Sequence, residues 1–258
     1  MNITFIASVS SVVNRAGARH IKIAVSFFAF ALVFLFILVH VAGYSVANMI
    51  QGLDIADKRA MLAMNFAGGS VADHFWYSYT QQFIWAPLML IVVITLLKLH
   101  PGSMRDKLIF VVSLVLVIVV FDQLASGVIK PLVCRLRPSH DAALAPLLHY
   151  VNGYHGGAHG FVSSHAAVNV GIATMLCCIF KDRLTRITLV LYALLMCYSR
   201  IYLGVHYPGD VICGAFLGWL ISYASFKYLG RRMKVFSTTR RPVYILLTYY
   251  VGVLIVFI

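Results

Sequence analysis

The chain has 258 residues, of which 61% are hydrophobic and only 11% are charged. An average globular domain carries about 25% charged residues, so this composition excludes an ordinary soluble protein and indicates a polytopic membrane protein. All eight acidic residues are Asp, which excludes mechanisms that need a catalytic glutamate. The five Cys residues form no CxxC motif, and we interpret them as packing residues rather than a disulfide framework.

Apolar runs that are long enough to cross a bilayer follow one another along the chain, since a spanning helix needs about 20 mostly apolar residues. The first run is too long for a signal peptide, so we interpret it as an uncleaved span. The predicted spans are residues 23–41, 83–97, 108–129, 164–180, 187–205 and 211–226. A last apolar run at 243–258 leaves a short seventh span open.

These runs predict an all-α fold with six transmembrane helices. We expect residues 1–258 to form a single integral-membrane domain, with a core at about 23–228. Residues 229–258 would form a basic tail followed by the C-terminal apolar segment.

The basic residues are distributed unevenly between the two sides of the predicted membrane. Fifteen of the 21 Lys and Arg residues fall in the N-terminal segment, in the loops after the second and fourth spans, and after the sixth span. These connections alternate, so they share one side, which the positive-inside tendency makes cytoplasmic. The net charge of +13 is therefore explained by topology and by affinity for anionic lipid head groups, without a nucleic acid partner.

The other basic residues belong to the outer side, and four of them lie near His and Ser residues in segments 130–138, 162–166 and 199–210. Cationic side chains can surround a tetrahedral dianion. Two histidines can divide phosphate-ester cleavage, one attacking phosphorus and one protonating the leaving oxygen, and an Asp can orient the attacking imidazole. The residues alone therefore suggest phosphoryl transfer from a membrane-embedded substrate without an obligatory metal.

The three segments resemble the three-part signature of the type 2 phosphatidic acid phosphatase superfamily, in its bacterial membrane lipid phosphatase branch. The motifs, in chain order, are Lys130-x6-Arg137-Pro138, Ser163-x-His165 and Ser199-Arg200-x5-His206-x3-Asp210. The six-helix layout extends the likeness over most of the chain. One departure is Ser164, which stands where the family commonly has Gly.

The resemblance implies a role for each motif residue. His206 would be the nucleophile that forms a phosphohistidine, Asp210 would orient it, and His165 would be the general acid. The phosphate would be held by Lys130, Arg137, Ser163, the Ser164 amide and Arg200. We expect no metal and no cofactor. The partners would be the lipid bilayer and a phospholipid, polyprenyl or glycolipid phosphate, at the periplasmic face of a bacterial inner membrane with the N-terminus in the cytoplasm.

The same residues also have structural alternatives. Asp210 and Ser163 could be helix N-caps, because each lies at the start of a predicted span. Lys130, Arg137 and Arg200 could be anchors that extend to the lipid head groups. We favour the functional interpretation because all five occur together in one pattern.

Residues outside the motifs are harder to assign. Arg135 is either a second phosphate contact or a surface charge. Asp122 interrupts the third span, and we expect it to have a buried structural partner. The pair Gly214-x3-Gly218 is expected to permit close helix packing.

The segment between the first and second motifs, residues 139–162, is called the outer segment below. It contains four histidines that belong to no motif: His140, His149, His155 and His159. The spacing of the last two could suggest zinc, but their Gly-rich surroundings do not favour the helix that would align the imidazoles. We interpret the four as part of a mobile loop near the head-group entrance.

Three functions are compatible with these residues. The favoured one is hydrolysis of a lipid phosphate or diphosphate. A phosphotransferase would use the same site with a second lipid as acceptor, and a non-enzymatic anion binder or transporter would leave the His206–Asp210 pair unused. Polyprenyl diphosphate, phosphatidylglycerophosphate, phosphatidic acid and lipid A all present a phosphate at this interface, so the sequence leaves the lipid open.

Overall fold

The computed structural model describes residues 46–257, so the first predicted span, 23–41, lies outside the described residues. Within the described range all regular secondary structure is helical, and the only β-type pairings are two isolated bridges. The α-helices are α1 (Val46–Met64), α2 (Ser70–Tyr79), α3 (Ala86–Leu99), α4 (Met104–Asp122), α5 (Lys130–Val133), α6 (Ser164–Ile179), α7 (Arg183–Tyr202), α8 (Pro208–Ala224) and α9 (Val243–Phe257). Two π-helical segments, Gln123–Ile129 and Ser225–Leu229, extend α4 and α8. The all-helical prediction is confirmed for this part of the chain.

Contacts divide the chain after Ala56 into two compact units, and every motif residue belongs to the second unit, Asp57–Ile258.

Four helical stretches are long and apolar enough to cross a membrane: Gln82–Leu99, Met104–Val133, Arg183–Tyr202 and Pro208–Leu229. They correspond to the second, third, fifth and sixth predicted spans, and the protein is an integral membrane protein. The fourth predicted span is the 16-residue α6, and the last apolar run forms the 15-residue α9. The total of six spans stays a prediction.

Helix α6 packs against α4, α7 and α8. Gly214 and Gly218 of α8 approach the α6 segment so closely that a Cβ at either position would overlap a backbone carbonyl oxygen, that of Ser163 or of Ala167. The expected close packing at these two glycines is therefore confirmed. It brings the first turn of α8 beside the start of α6, the region that contains the second motif.

The basic connections converge at one end of the helices. Arg241 Nε donates to Asp182 Oδ1 at 3.1 Å, which ties the segment before α9 to the start of α7. Lys234 Nζ lies 3.3 Å from Asp106 Oδ1 in the first turn of α4. The motif segments lie at the opposite ends of the same helices, after α4 and between α7 and α8. The fold therefore separates the basic end from the motif end.

Asp122, the last residue of α4, is exposed. Its Oδ1 accepts a hydrogen bond of 3.3 Å from the hydroxyl of Ser126, four residues later. The expectation of a buried partner is wrong, because a hydroxyl on the following turn of the same helix satisfies the carboxylate at the surface.

Candidate active site

The three motif segments meet at one end of the second unit. Lys130, where the π-helical extension of α4 passes into α5, donates from Nζ to the Ser164 hydroxyl at 3.2 Å. The backbone N–H of Ser163 donates to the carbonyl oxygen of Asp210 at 3.0 Å. The first contact joins the first motif to the second, and the other contact joins the second motif to the third.

His206 lies in the connection between α7 and α8, and Asp210 lies in the first turn of α8. The exposed fractions of the two side chains are 1% and 0%, and His206 Nδ1 is 3.5 Å from Asp210 Oδ2. The same Oδ2 accepts a hydrogen bond of 3.1 Å from the backbone N–H of Tyr207, the N-cap residue of α8. The carboxylate therefore closes the first turn of α8 and also faces the imidazole, so the structural and functional interpretations are compatible.

The surroundings of His206 favour its neutral form. Burial lowers the pKa of His206 well below its ordinary value, and the positive charges of Arg137, Arg200 and Lys130 lower it further. Desolvation and neighbouring positive charge both disfavour an imidazolium. At neutral pH the imidazole therefore keeps a lone pair on one ring nitrogen, which is the form that a nucleophile needs.

Arg200, near the end of α7, is only 2% exposed. Its Nη1 donates to the Thr80 hydroxyl at 2.9 Å, and its Nη2 donates to the Tyr154 hydroxyl at 3.3 Å. Its Nε has no hydrogen-bond partner among residues 46–257. A side chain this enclosed does not reach the lipid head groups, so the anchor interpretation does not fit Arg200.

Arg137 is half-buried and is held by a short stretch of paired backbone. Its N–H donates to the carbonyl of Ala158, and the N–H of Gly160 donates to the carbonyl of Arg135, both at 2.9 Å. The Arg137 Nε donates to the carbonyl of His159 at 3.1 Å. Because backbone groups supply these contacts, the guanidinium is fixed without an acidic side chain.

The start of α6 presents the second motif to this group of cations. Ser163 is the N-cap, and its hydroxyl accepts a hydrogen bond of 3.4 Å from the Ala166 N–H, as the structural alternative predicts. His165 is half-buried. It interacts electrostatically with Arg200, His206, Lys130 and Arg137. All eight residues predicted for the site are therefore brought together.

Arg135 has two acidic partners that the sequence does not predict. Its Nη1 donates to Asp210 Oδ1 at 2.9 Å and to Asp57 Oδ2 at 2.8 Å. Its charge therefore faces two carboxylates. The sequence also does not predict that Asp57, Thr80 and Tyr154 contact the site.

The additional histidines take other partners or lie in irregular backbone. His149 Nε2 is 2.8 Å from Asp73 Oδ1, which ties the outer segment to α2. His155 and His159 lie outside any helix. Within the part of the chain that the structure describes, no three His, Cys or Asp side chains are grouped so that they could hold a metal ion.

Gly160 allows a direct test of this geometry. A Cβ at Gly160 would lie 2.8 Å from Asp210 Oδ2 and 3.2 Å from Arg137 Cγ. Both neighbours are fixed by hydrogen bonds, so we expect Gly160→Ala to displace the carboxylate and to lower the turnover number for phosphate release by up to about 100-fold. The matched control is Gly157→Ala, because a Cβ there meets nothing within 4 Å. The control should retain activity within about twofold. Equal losses in the two variants would contradict the geometry.

Comparison with known proteins identifies the family. Residues 107–234 match the PAP2 superfamily. The lipid A 4'-phosphatase of Bacteroides thetaiotaomicron is 37% identical over 188 residues, which cover 71% of this chain and 83% of that protein. The lipid A 4'-phosphatase of Porphyromonas gingivalis is 29% identical over 179 residues, which cover 69% of this chain and 75% of that protein. The crystal structure of Aquifex aeolicus LpxE aligns with a TM-score of 0.50 and 25% identity, over 66% of this chain and 94% of that chain.

The matched range contains all three motifs, and the similarity to known phosphatases covers about two thirds of the chain. The resemblance inferred from the motifs is therefore confirmed, and so is the expectation of a hydrolase that acts on phosphate esters. The chain belongs to the PAP2 superfamily and is a membrane phosphatase of that type.

Proposed function

We propose that the protein hydrolyses a phosphate ester or diphosphate of a membrane lipid through a phosphohistidine intermediate. The observation that carries this proposal is the buried imidazole of His206, which lies 3.5 Å from Asp210 and near three cationic side chains that favour its neutral form. A neutral imidazole is a nucleophile, and the surrounding positive charge attracts the anionic phosphate that it attacks.

In the first step, Nε2 of His206 forms a bond to phosphorus while the bond from phosphorus to the lipid oxygen breaks. The Nδ1 proton faces Asp210, which stabilises the positive charge that develops on the ring. The negative charge of the bound phosphate offsets the surrounding cations and favours the protonated form of His165. His165 gives that proton to the departing oxygen, which takes the electron pair of the broken bond. The non-bridging phosphate oxygens are held by Lys130, Arg137 and Arg200, whose charges offset the developing negative charge.

In the second step, water attacks the phosphohistidine. His165, neutral after the first step, accepts a proton from the water as the new bond to phosphorus forms. The bond from phosphorus to His206 Nε2 breaks, its electron pair returns to the ring, and inorganic phosphate leaves. Neither step requires a metal, since cationic side chains supply the positive charge that a metal ion would provide.

Ser164 has a specific part in this arrangement. The Ser164 N–H is at the first position of α6, where free backbone amides and the helix dipole favour an anion. The hydroxyl that the family's usual Gly lacks accepts the hydrogen bond from Lys130 Nζ. Ser164 therefore fixes the ammonium while leaving its charge available to phosphate.

A phosphorylated glycolipid is the first substrate to consider. Two relatives that align with about 70% of this chain are lipid A 4'-phosphatases. Polyprenyl diphosphate, phosphatidylglycerophosphate and phosphatidic acid present the same phosphate chemistry to the site. We place the phosphate of lipid A first and the other three as competing substrates.

Phosphate release from these four lipids in detergent, with EDTA present, tests the proposal. We expect the wild type to release phosphate despite the chelator, fastest from lipid A. His206→Ala should lower the rate roughly 1,000-fold or more, because it removes the nucleophile. The matched control is His140→Ala, which removes an exposed histidine of the outer segment and should retain activity within about twofold.

A His206→Ala variant with full activity would contradict the mechanism, and complete loss of wild-type activity with EDTA would contradict metal independence. Tracing labelled phosphate separates hydrolysis from transfer. Label recovered in free phosphate supports hydrolysis. Label recovered on a second lipid would show that the protein is a phosphotransferase instead.

We further propose that the site faces the periplasm of a bacterial inner membrane and that the N-terminus is cytoplasmic. The support is the separation of the basic end, with Asp182 and Arg241, from the site end, with Lys130 and Ser164. Basic connections are retained in the cytoplasm by the positive-inside tendency.

Labelling with a membrane-impermeant maleimide tests this orientation. Cys134 is exposed and lies four residues after Lys130, at the site end, whereas Ser237 is exposed at the basic end. In intact cells with a permeable outer membrane, we expect labelling of a variant whose only cysteine is Cys134. A variant whose only cysteine comes from Ser237→Cys should be labelled only after lysis. The reverse pattern would contradict the proposed orientation.

A further inference from the structure

Arg135 connects the catalytic pair to helix α1. Its Nη1 lies 2.9 Å from Asp210 Oδ1 and 2.8 Å from Asp57 Oδ2. The other oxygen of Asp57, Oδ1, accepts a hydrogen bond of 2.7 Å from the backbone N–H of Gly209, the residue before Asp210. Asp57 therefore contacts the first turn of α8 in two ways: through the Arg135 guanidinium, which binds Asp210, and directly through the backbone N–H of Gly209.

These contacts leave the Asp210 carboxylate little freedom to rotate. Oδ1 is held by Arg135, and Oδ2 accepts from the Tyr207 N–H while it faces the His206 ring. The guanidinium carbon of Arg135 also lies 4.1 Å from the centre of the Tyr207 ring, so the guanidinium is itself fixed in place. A rotation of the carboxylate would break charge-assisted hydrogen bonds at both oxygens.

The charges of Arg135, Asp57 and Asp210 explain why two carboxylates are present. Arg135 paired with Asp210 alone would cancel the negative charge that stabilises the imidazolium formed at His206. With Asp57 as a second partner, the group of two carboxylates and one guanidinium keeps one net negative charge. That charge remains available to the ring during the attack on phosphorus.

We propose that Asp57 and Arg135 are positioning residues of the phosphatase, and that they aim Asp210 at His206 and preserve its negative charge. This inference rests on the proposed function, since it takes His206 as the nucleophile. Their contacts are with Asp210, Gly209 and each other, so we expect their effect on the turnover number rather than on substrate binding. We expect removal of either residue to cost about 10- to 100-fold in activity, the range typical of residues that orient metal ligands through a hydrogen bond.

The test is a kinetic comparison of full-length variants in detergent with the lipid that the wild type hydrolyses fastest. Asp57→Asn keeps the shape of the side chain but removes its charge, so we expect kcat to fall about 10- to 100-fold with KM within about threefold. In an Asp210→Asn background, the same change should cause no further loss in single-turnover assays with labelled lipid, because its target is already absent. Asp57→Glu, which retains the charge, should recover part of the rate.

The matched control is Lys58→Gln on the same helix. Lys58 Nζ lies 2.9 Å from Asp141 Oδ2, so this variant also removes an ion pair between α1 and the outer segment. Because the ion pair that it removes does not involve Asp210, we expect its kcat to stay within about twofold of the wild type. Thermal unfolding of every variant separates a loss of fold from a loss of turnover.

Several results would overturn the inference. They are an unchanged kcat in Asp57→Asn, a further loss when it is combined with Asp210→Asn, and an equal loss in Lys58→Gln. If the wild type is active and His206→Ala is inactive, any of these results would leave the proposed function intact. A wild type that releases no phosphate from any lipid would overturn the proposed function and this inference with it.

Discussion

The positive charges of Lys130, Arg137 and Arg200 disfavour protonation of one buried imidazole, that of His206. Gathering like charges in an enclosed site is unfavourable unless each charge is held and later compensated. The partners that hold them are neutral oxygens: the Ser164 hydroxyl for Lys130, the His159 carbonyl for Arg137, and the Thr80 hydroxyl for Arg200. A neutral oxygen fixes the position of a cation without cancelling its charge. The site is thus organised for an anion that arrives with the substrate.

Arg135 shows the contrasting arrangement. It lies two residues before Arg137, yet it is paired with the carboxylates of Asp57 and Asp210. Its charge therefore holds the carboxylate of Asp210, which we propose orients His206. In the proposed mechanism, the chain thus separates cations that face the substrate from one that supports the nucleophile. The close packing of α8 on α6 at Gly214 brings both sets to the same end of the helices.

The sequence predicts those parts of the protein that depend on local pattern. Apolar runs locate the four long spans, and the family resemblance carried by the three motifs implies eight site residues, which the fold brings together. The sequence does not predict helices α1 and α2, because residues 46–79 mix polar and apolar side chains without a long apolar run. Thr80 and Asp57 were missed for another reason, since they contact partners 120 and 78 residues away. The role of Arg135 could not be predicted because it depends on Asp57.

The central claim is that phosphate passes through His206, and trapping the intermediate tests it most directly. The wild type would be mixed with lipid carrying a radiolabelled phosphate and quenched within milliseconds in alkaline detergent, where a phosphohistidine survives. We predict label on the protein that is lost in acid, maps to His206 by mass spectrometry and is absent from His206→Ala. Label on another residue, or a burst of free phosphate from wild-type protein that never carries label, would contradict the account.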